Sequence, residues 1–261
     1  MKKYRHWLVG LVIVLAAVLL CAHLIPLLIF PGYFVHRPDS LYGHEQQRTV
    51  MTAPDGTKLR GWFFNRGAGA PLVVIYTGNN MNAGTLLPIA RTDTTRSYLL
   101  LNYRGYGDSE GTPSESRLVC DALHCISLAR AELGNTTAPL HIIGYSIGSG
   151  VATQVAAAAH PTGLTLICPF DCITDVACDF VPVLPKLLLP DTFNSARFAA
   201  QIACPVTILR AAHDTLVTAP HTAGLMQAFP TPPVEHVLDA DHNSIFGHPD
   251  FALLLRDSLT R

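Results

Sequence analysis

The chain has 261 residues, with 18 Lys and Arg against 19 Asp and Glu and a net charge of −1. That balance offers no basic surface for a phosphate backbone and argues against nucleic acid as a partner. Charged residues make up 14% and apolar residues 49%, and a chain of this length accommodates one large α/β domain with an appendage.

The N-terminus is basic, with Lys2, Lys3 and Arg5, and residues 7–25 then carry no Asp, Glu, Lys or Arg. At 1.5 Å per residue a helix of that length spans roughly 28 Å, enough to cross a hydrocarbon core. The run is too long and too uniformly apolar for a cleaved signal, and no A-x-A site follows. The expectation is an uncleaved signal anchor. Only Arg37 closely follows the span, so the positive-inside rule puts the N-terminus in the cytoplasm and exports the rest. The predicted organisation is a tip and single transmembrane span over residues 1–32, a linker over 33–47, and one folded domain over 48–261.

Residues 49–52 and 59–64 read as a hairpin turned by Pro54-Asp55-Gly56. Alternation follows: strands at 72–76, 98–102, 140–143, 164–168, 206–209 and 234–238, with helices at 85–91, 114–133, 149–159, 219–228 and 249–259. Ser114 is the expected N-cap of its helix. Apolar runs alternating with amphipathic helices predict a mostly parallel, doubly wound sheet. Residues 169–203 break the rhythm with Pro182, Pro185, Pro190 and Leu187-Leu188-Leu189. They read either as a small lid over the strand ends or as a plain helical crossover. The seven cysteines, Cys21, Cys120, Cys125, Cys168, Cys172, Cys178 and Cys204, lack metal-binding spacing and read as apolar filler, with a disulfide among Cys168, Cys172 and Cys178 as the alternative.

The strand at 140–143 runs into Gly144-Tyr145-Ser146-Ile147-Gly148, and a small-residue helix follows. This is the G-x-S-x-G strand–turn–helix pattern, in which a strained turn lifts a serine hydroxyl above the sheet. A serine needs a base to take its proton and an acid to orient that base. In this arrangement the acid and then the histidine follow the serine in chain order, each at a strand end. Asp214 lies in the exit loop of strand 206–209, and His242 lies four residues beyond strand 234–238. Asp239 and Asp241 are rival acids; His213, His236 and His248 fit less well as the base. Two backbone N–H groups would stabilise an oxyanion: Ile147, after the nucleophile, and Asn79, in the Thr77-Gly78-Asn79 turn.

Residues 102–113, Asn-Tyr-Arg-Gly-Tyr-Gly-Asp-Ser-Glu-Gly-Thr-Pro, resemble the N-Y-R-G-Y-G-x-S-x-G-x-P signature of BEM46-like α/β hydrolases. That group resembles serine aminopeptidases in domain type and includes depalmitoylases and monoacylglycerol lipases. With Thr77-Gly78-Asn79-Asn80, the serine motif, Cys168-Pro169-Phe170-Asp171 and the Asp214 and His242 loops, the resemblance covers about residues 45–258. It implies an α/β-hydrolase fold with Ser146, Asp214 and His242 as the triad. Arg104 and Tyr106 read as structural supports, with Asp108 a candidate partner for Arg104. The chain departs from the family pattern at Thr77 (usually His), at Ala211 (usually Gly) and at Asp241 (often Gly).

The reading that follows is a membrane-anchored serine hydrolase of carboxylic esters or thioesters, acting on a small-molecule or acylated substrate, with no metal or organic cofactor implied. The alternatives are a serine peptidase with the same triad, and a catalytically silent interaction protein on the same fold.

Overall fold

The structure, a computed structural model, describes Gly10, residues 29–180 and residues 192–260. The expected transmembrane span at 7–25 lies outside the described residues apart from Gly10, as does the stretch 181–191 of the expected lid. Among the described residues, no helix is long and apolar enough to cross a membrane.

Eight strands form one sheet in the order β1-β2-β4-β3-β5-β6-β7-β8. Strands β1 (Arg48–Thr52) and β2 (Lys58–Phe64) form the expected antiparallel hairpin, closed by Gly56 at φ +89°. Strand β2 also runs antiparallel to β4 (Ser97–Leu101). From β4 onward, through β3 (Leu72–Tyr76), β5 (Leu140–Tyr145), β6 (Gly163–Ile167), β7 (Val206–Ala211) and β8 (Val234–Leu238), neighbours are parallel. Strands β3, β5 and β6 are buried along their whole length. That is why they read as continuous apolar runs: helices cover both faces of a parallel sheet. Side chains alternate between two cores, with Val74, Leu99 and Ile142 on one face and Ile75, Leu100 and Ile143 on the other.

Among the described residues, the helices packed on the sheet and its loops are α1 (Leu87–Thr92), α2 (Glu115–Glu132), α3 (Ile147–Ala159), α4 (Ile173–Phe180), α5 (Ser195–Ala199), α6 (Ala219–Ala228) and α7 (Phe251–Ser258). The helix expected at 85–91 is split. A 3-10 turn, Ala83–Leu86, is capped by the Asn82 side chain, and α1 follows with Pro88 in its first turn. Ser114 occupies the N-cap of α2 with extended backbone but makes no capping bond; its hydroxyl faces that of Ser116 instead, at 3.5 Å.

The segment read as a linker is seated on the domain through three 3-10 turns. Asp39 is buried and accepts from the amides of Asn82 and Asn102, each at 2.8 Å. Burial pushes its carboxyl up, against the pull of the Asn82 bond. Trp62 donates its indole N–H to the Gly43 carbonyl at 3.0 Å.

The 169–203 insertion is tied at both described ends. Ile173 N–H donates to the Thr192 carbonyl, and Thr192 N–H to Glu115. Phe193, fully buried, packs edge-on to Phe30. None of the six described cysteines is bridged.

Candidate active site

Strand order decides what meets at the carboxyl edge of the sheet. Because β5 lies beside β3, with Tyr76 paired to Gly144, the loop after β3 abuts the turn after β5. The adjacent β7 and β8 bring their exit loops alongside. Ligands of open parallel sheets bind at such strand ends, where the order reverses.

Ser146 stands on the turn with φ 53° and ψ −122°, a strained conformation for a residue with a Cβ. Its N–H donates to the Ile167 carbonyl and its carbonyl accepts from Ser149 N–H, which hold the turn closed. The flanking glycines are sterically required. A Cβ on Gly144 would lie 2.4 Å from the Gly148 carbonyl oxygen, and one on Gly148 would lie 2.3 Å from that of Tyr76.

His242 reaches this serine from the loop after β8, its Nε2 3.0 Å from Ser146 Oγ. Its Nδ1 lies 2.6 Å from Asp214 Oδ2. The other oxygen of Asp214 accepts the N–H groups of Leu216 and Val217, at 2.9 and 2.8 Å. Burial pushes the Asp214 carboxyl up, but the His242 bond and the two backbone donors outweigh it and hold the group below the ordinary carboxylate range. The carboxylate therefore stays ionised and acceptor-only, and holds the ring with Nδ1 protonated and Nε2 free to accept from the serine.

The rival acids are engaged elsewhere. Asp239 pairs with His213 at 2.7 Å on the surface. Asp241 accepts the N–H groups of Asn243 and Ser244 and folds the histidine loop; these bonds, with Ser244 foremost, hold its carboxyl low. His236 lies within β8, and His248 sits beside Asp250.

Of the two expected oxyanion donors, Ile147 directly follows the serine and Asn79 lies in the turn after β3, which abuts it. Ile147 opens α3, so its N–H is among those with no intrahelical acceptor. Gly78 packs so closely that a Cβ there would lie 3.5 Å from that of Ser146 and 2.6 Å from the Tyr145 ring. Asn79 is held through its side chain, donating to the Ile29 carbonyl at 2.5 Å and accepting from the Tyr106 hydroxyl at 2.7 Å. Tyr103 donates to the Thr77 carbonyl at 2.9 Å. The 102–113 loop thus buttresses the turn after β3, and Tyr106 supports it as expected.

The Arg104 pairing differs from expectation. Its guanidinium forks onto Asp121, at 2.6 and 2.7 Å, and onto Asp55, at 2.7 and 3.1 Å, not onto Asp108. Gly105 and Gly107, both at positive φ, reverse the loop. Asp108 then points the other way, to the Asp39 N–H at 3.1 Å.

Two neighbours of the triad had no signal in the sequence beyond their positions. The Tyr145 hydroxyl donates to the His242 carbonyl at 2.9 Å, and its ring lies 5.2 Å from the imidazole. Cys168, at φ +47°, is buried beside the triad; its sulfur, the Asp214 carboxylate and a His242 nitrogen lie within 4.8 Å of one another. These are the only metal-type donors so clustered among the described residues. Burial foremost, with the Asp214 charge beside it, raises the Cys168 thiol far above its ordinary value.

Sheet order and the strained serine turn are those of the α/β-hydrolase fold, and the chain belongs to the α/β-hydrolase superfamily. It is 31% identical over 188 residues to the uncharacterized protein Rv2307c of Mycobacterium tuberculosis, covering 70% of this chain and 67% of that protein. It is 37% identical over 135 residues to the lysophosphatidylserine lipase ABHD12 of Danio rerio, covering 44% of this chain and 35% of that protein. Among solved structures, the esterase Pf2001 of Pyrococcus furiosus superposes with a TM-score of 0.64 at 18% identity, over 82% of this chain and 89% of that one. No protein-family model matches the chain.

Proposed function

We propose that this hydrolase is a serine hydrolase that cleaves carboxylic esters or thioesters through an acyl-enzyme. The observation that carries the reading is the continuous hydrogen-bonded series Ser146–His242–Asp214, with the serine on a strained turn. Ser146 Oγ attacks the carbonyl carbon as His242 Nε2 takes the hydroxyl proton. The oxyanion forms against the N–H groups of Ile147 and Asn79. Its collapse expels the alcohol or thiol, which receives that proton from His242. Water then attacks the acyl-enzyme by the same route, releasing the acid and restoring the serine. Asp214 orients the imidazole and stabilises the imidazolium.

A lipid-like ester is the proposed substrate class. Two features support it: the likeness to a protein named as a lysophosphatidylserine lipase and the apolar span at 7–25. Under this reading that span anchors the protein, with the N-terminus cytoplasmic and the catalytic domain exported.

A fluorophosphonate probe on the full-length protein tests the chemistry. Wild type is expected to label and Ser146→Ala not to; a silent wild type, or a labelled Ser146→Ala, overturns it. A graded series of p-nitrophenyl esters then reads acyl preference, with longer chains expected to raise kcat/KM. A C-terminal tag accessible to protease only from the cytosol would overturn the topology.

A further inference from the structure

The side chains on the sheet face opposite α2 and α3 are buried, but the helices that cover it leave a groove between them. Helix α7 lies over β6, where the Thr165 hydroxyl donates to that of Ser258 at 2.7 Å. Helix α1 is only six residues long because a 3-10 turn takes up its approach. Between them runs a groove of about 740 Å³, within the range of about 300–1,000 Å³ of ligand sites. Tyr98 of β4 and Tyr145 of β5 lie buried at its base, and the half-buried Ile89, Phe246 and Leu259 line its walls. The groove follows the strands from Phe246 at their carboxyl ends to Arg96 just before β4, about 16 Å for a five-residue strand. Its lining includes none of Ser146, Asp214 and His242; the Tyr145 ring stands between.

The apolar length ends in charge. Arg96, Arg256 and Asp93 are the charged residues of the lining, two cations against one anion. Asp93 is already occupied, accepting from Arg96 and from the Tyr98 hydroxyl, each at 2.8 Å, and from the Thr95 hydroxyl at 2.7 Å. Burial comes first among the influences on its carboxyl and would raise it, but these donors hold it far below the usual range. It remains an ion matched to Arg96. Arg256 lines the same groove and has no ion-pair partner among the described residues. The groove end therefore carries one unmatched cation beside an apolar channel.

We propose that this groove binds a fatty acid of about twelve carbons, with the tail along Phe246, Ile89 and Leu259 and the carboxylate against Arg256, with Arg96 alongside. A guanidinium suits a carboxylate through paired N–H donors, and the apolar walls bury the chain. This is a site separate from the ester-cleaving centre and does not depend on Ser146 acting.

The test uses full-length Ser146→Ala in phosphatidylcholine nanodiscs and a dodecanoic acid bearing a photoreactive diazirine on its tail, with crosslinks mapped by peptide mass spectrometry. Crosslinks are expected on residues 81–98 and 243–259, competed by dodecanoate but not by dodecanol. Arg256→Glu and Ala252→Trp, both at exposed positions, are expected to cut them about fivefold or more, while Arg256→Lys keeps most. Melting temperatures matching the parent confirm that the variants fold. Absence of groove crosslinks, or crosslinks that neither Arg256→Glu nor Ala252→Trp reduces, would overturn the proposal.

Discussion

The domain contains two buried histidines that are each held by aspartate, and they are built for opposite work. His242 lies between the Asp214 carboxylate and the Ser146 hydroxyl. His221, on α6, lies between two carboxylates, Asp171 on Nδ1 and Asp179 on Nε2, both at 2.9 Å. A carboxylate only accepts, so the second arrangement needs both ring nitrogens protonated and locks the imidazole as a cation. Burial opposes that charge, but the bonds from Asp179 and Asp171 outweigh it and raise the histidine above its ordinary value. The first arrangement leaves one nitrogen free to take a proton. The aspartate is common to both; the third partner, a hydroxyl in one and a second carboxylate in the other, separates them. The second arrangement fastens α4, in the insertion, to α6 and to the loop after β6.

The comparison is broken most severely at the triad itself. Ser146→Ala or His242→Ala is expected to lower kcat for an ester by about 10⁵–10⁶-fold, measured under saturating substrate, while His221→Ala leaves it within about twofold. Asp214→Asn retains the shape but offers an amide where the ring needs an acceptor, and a drop of roughly 10³–10⁴-fold in kcat is expected. Asp179→Asn, the matching change at the other histidine, is expected to leave turnover unchanged.

Tyr145→Phe removes the hydroxyl bond to the His242 carbonyl but keeps the ring against the imidazole. A bond worth about 1 kcal/mol predicts about a fivefold loss in kcat.

The smallest effect concerns stability and pH. A histidine whose folded value is raised contributes stability that is fully present below its unfolded value of about 6.5 and is lost as pH rises through the raised folded value. His221→Gln is therefore expected to lower the melting temperature by about 2–4 °C near pH 5.5 and by progressively less toward pH 9. A deficit that grows with pH would show that His221 is not held as a cation.

The strained serine turn and the strand-end aspartate and histidine that hydrogen-bond with it in series were legible because each is local: a glycine pair around a serine, and polar residues just past an apolar run. The Arg104 partners were not. Asp55 lies in the β1–β2 turn and Asp121 on α2, 49 and 17 residues away in sequence, and only the reversal at Gly105 and Gly107 aims the guanidinium at them. Tyr145 was equally silent, because its role depends on the loop after β8 folding back over β5.

From the residues alone came the sheet's strands, the hairpin, the serine on its turn and the candidates for base and acid; periodicity and steric demand act over a few residues and are written in the chain. The tertiary structure alone decided which aspartate serves which histidine, that the 102–113 loop buttresses Asn79, and that a short α1 leaves a charged-ended groove beside the sheet. Those depend on strand order and helix length, which set distances between residues that the chain itself keeps far apart.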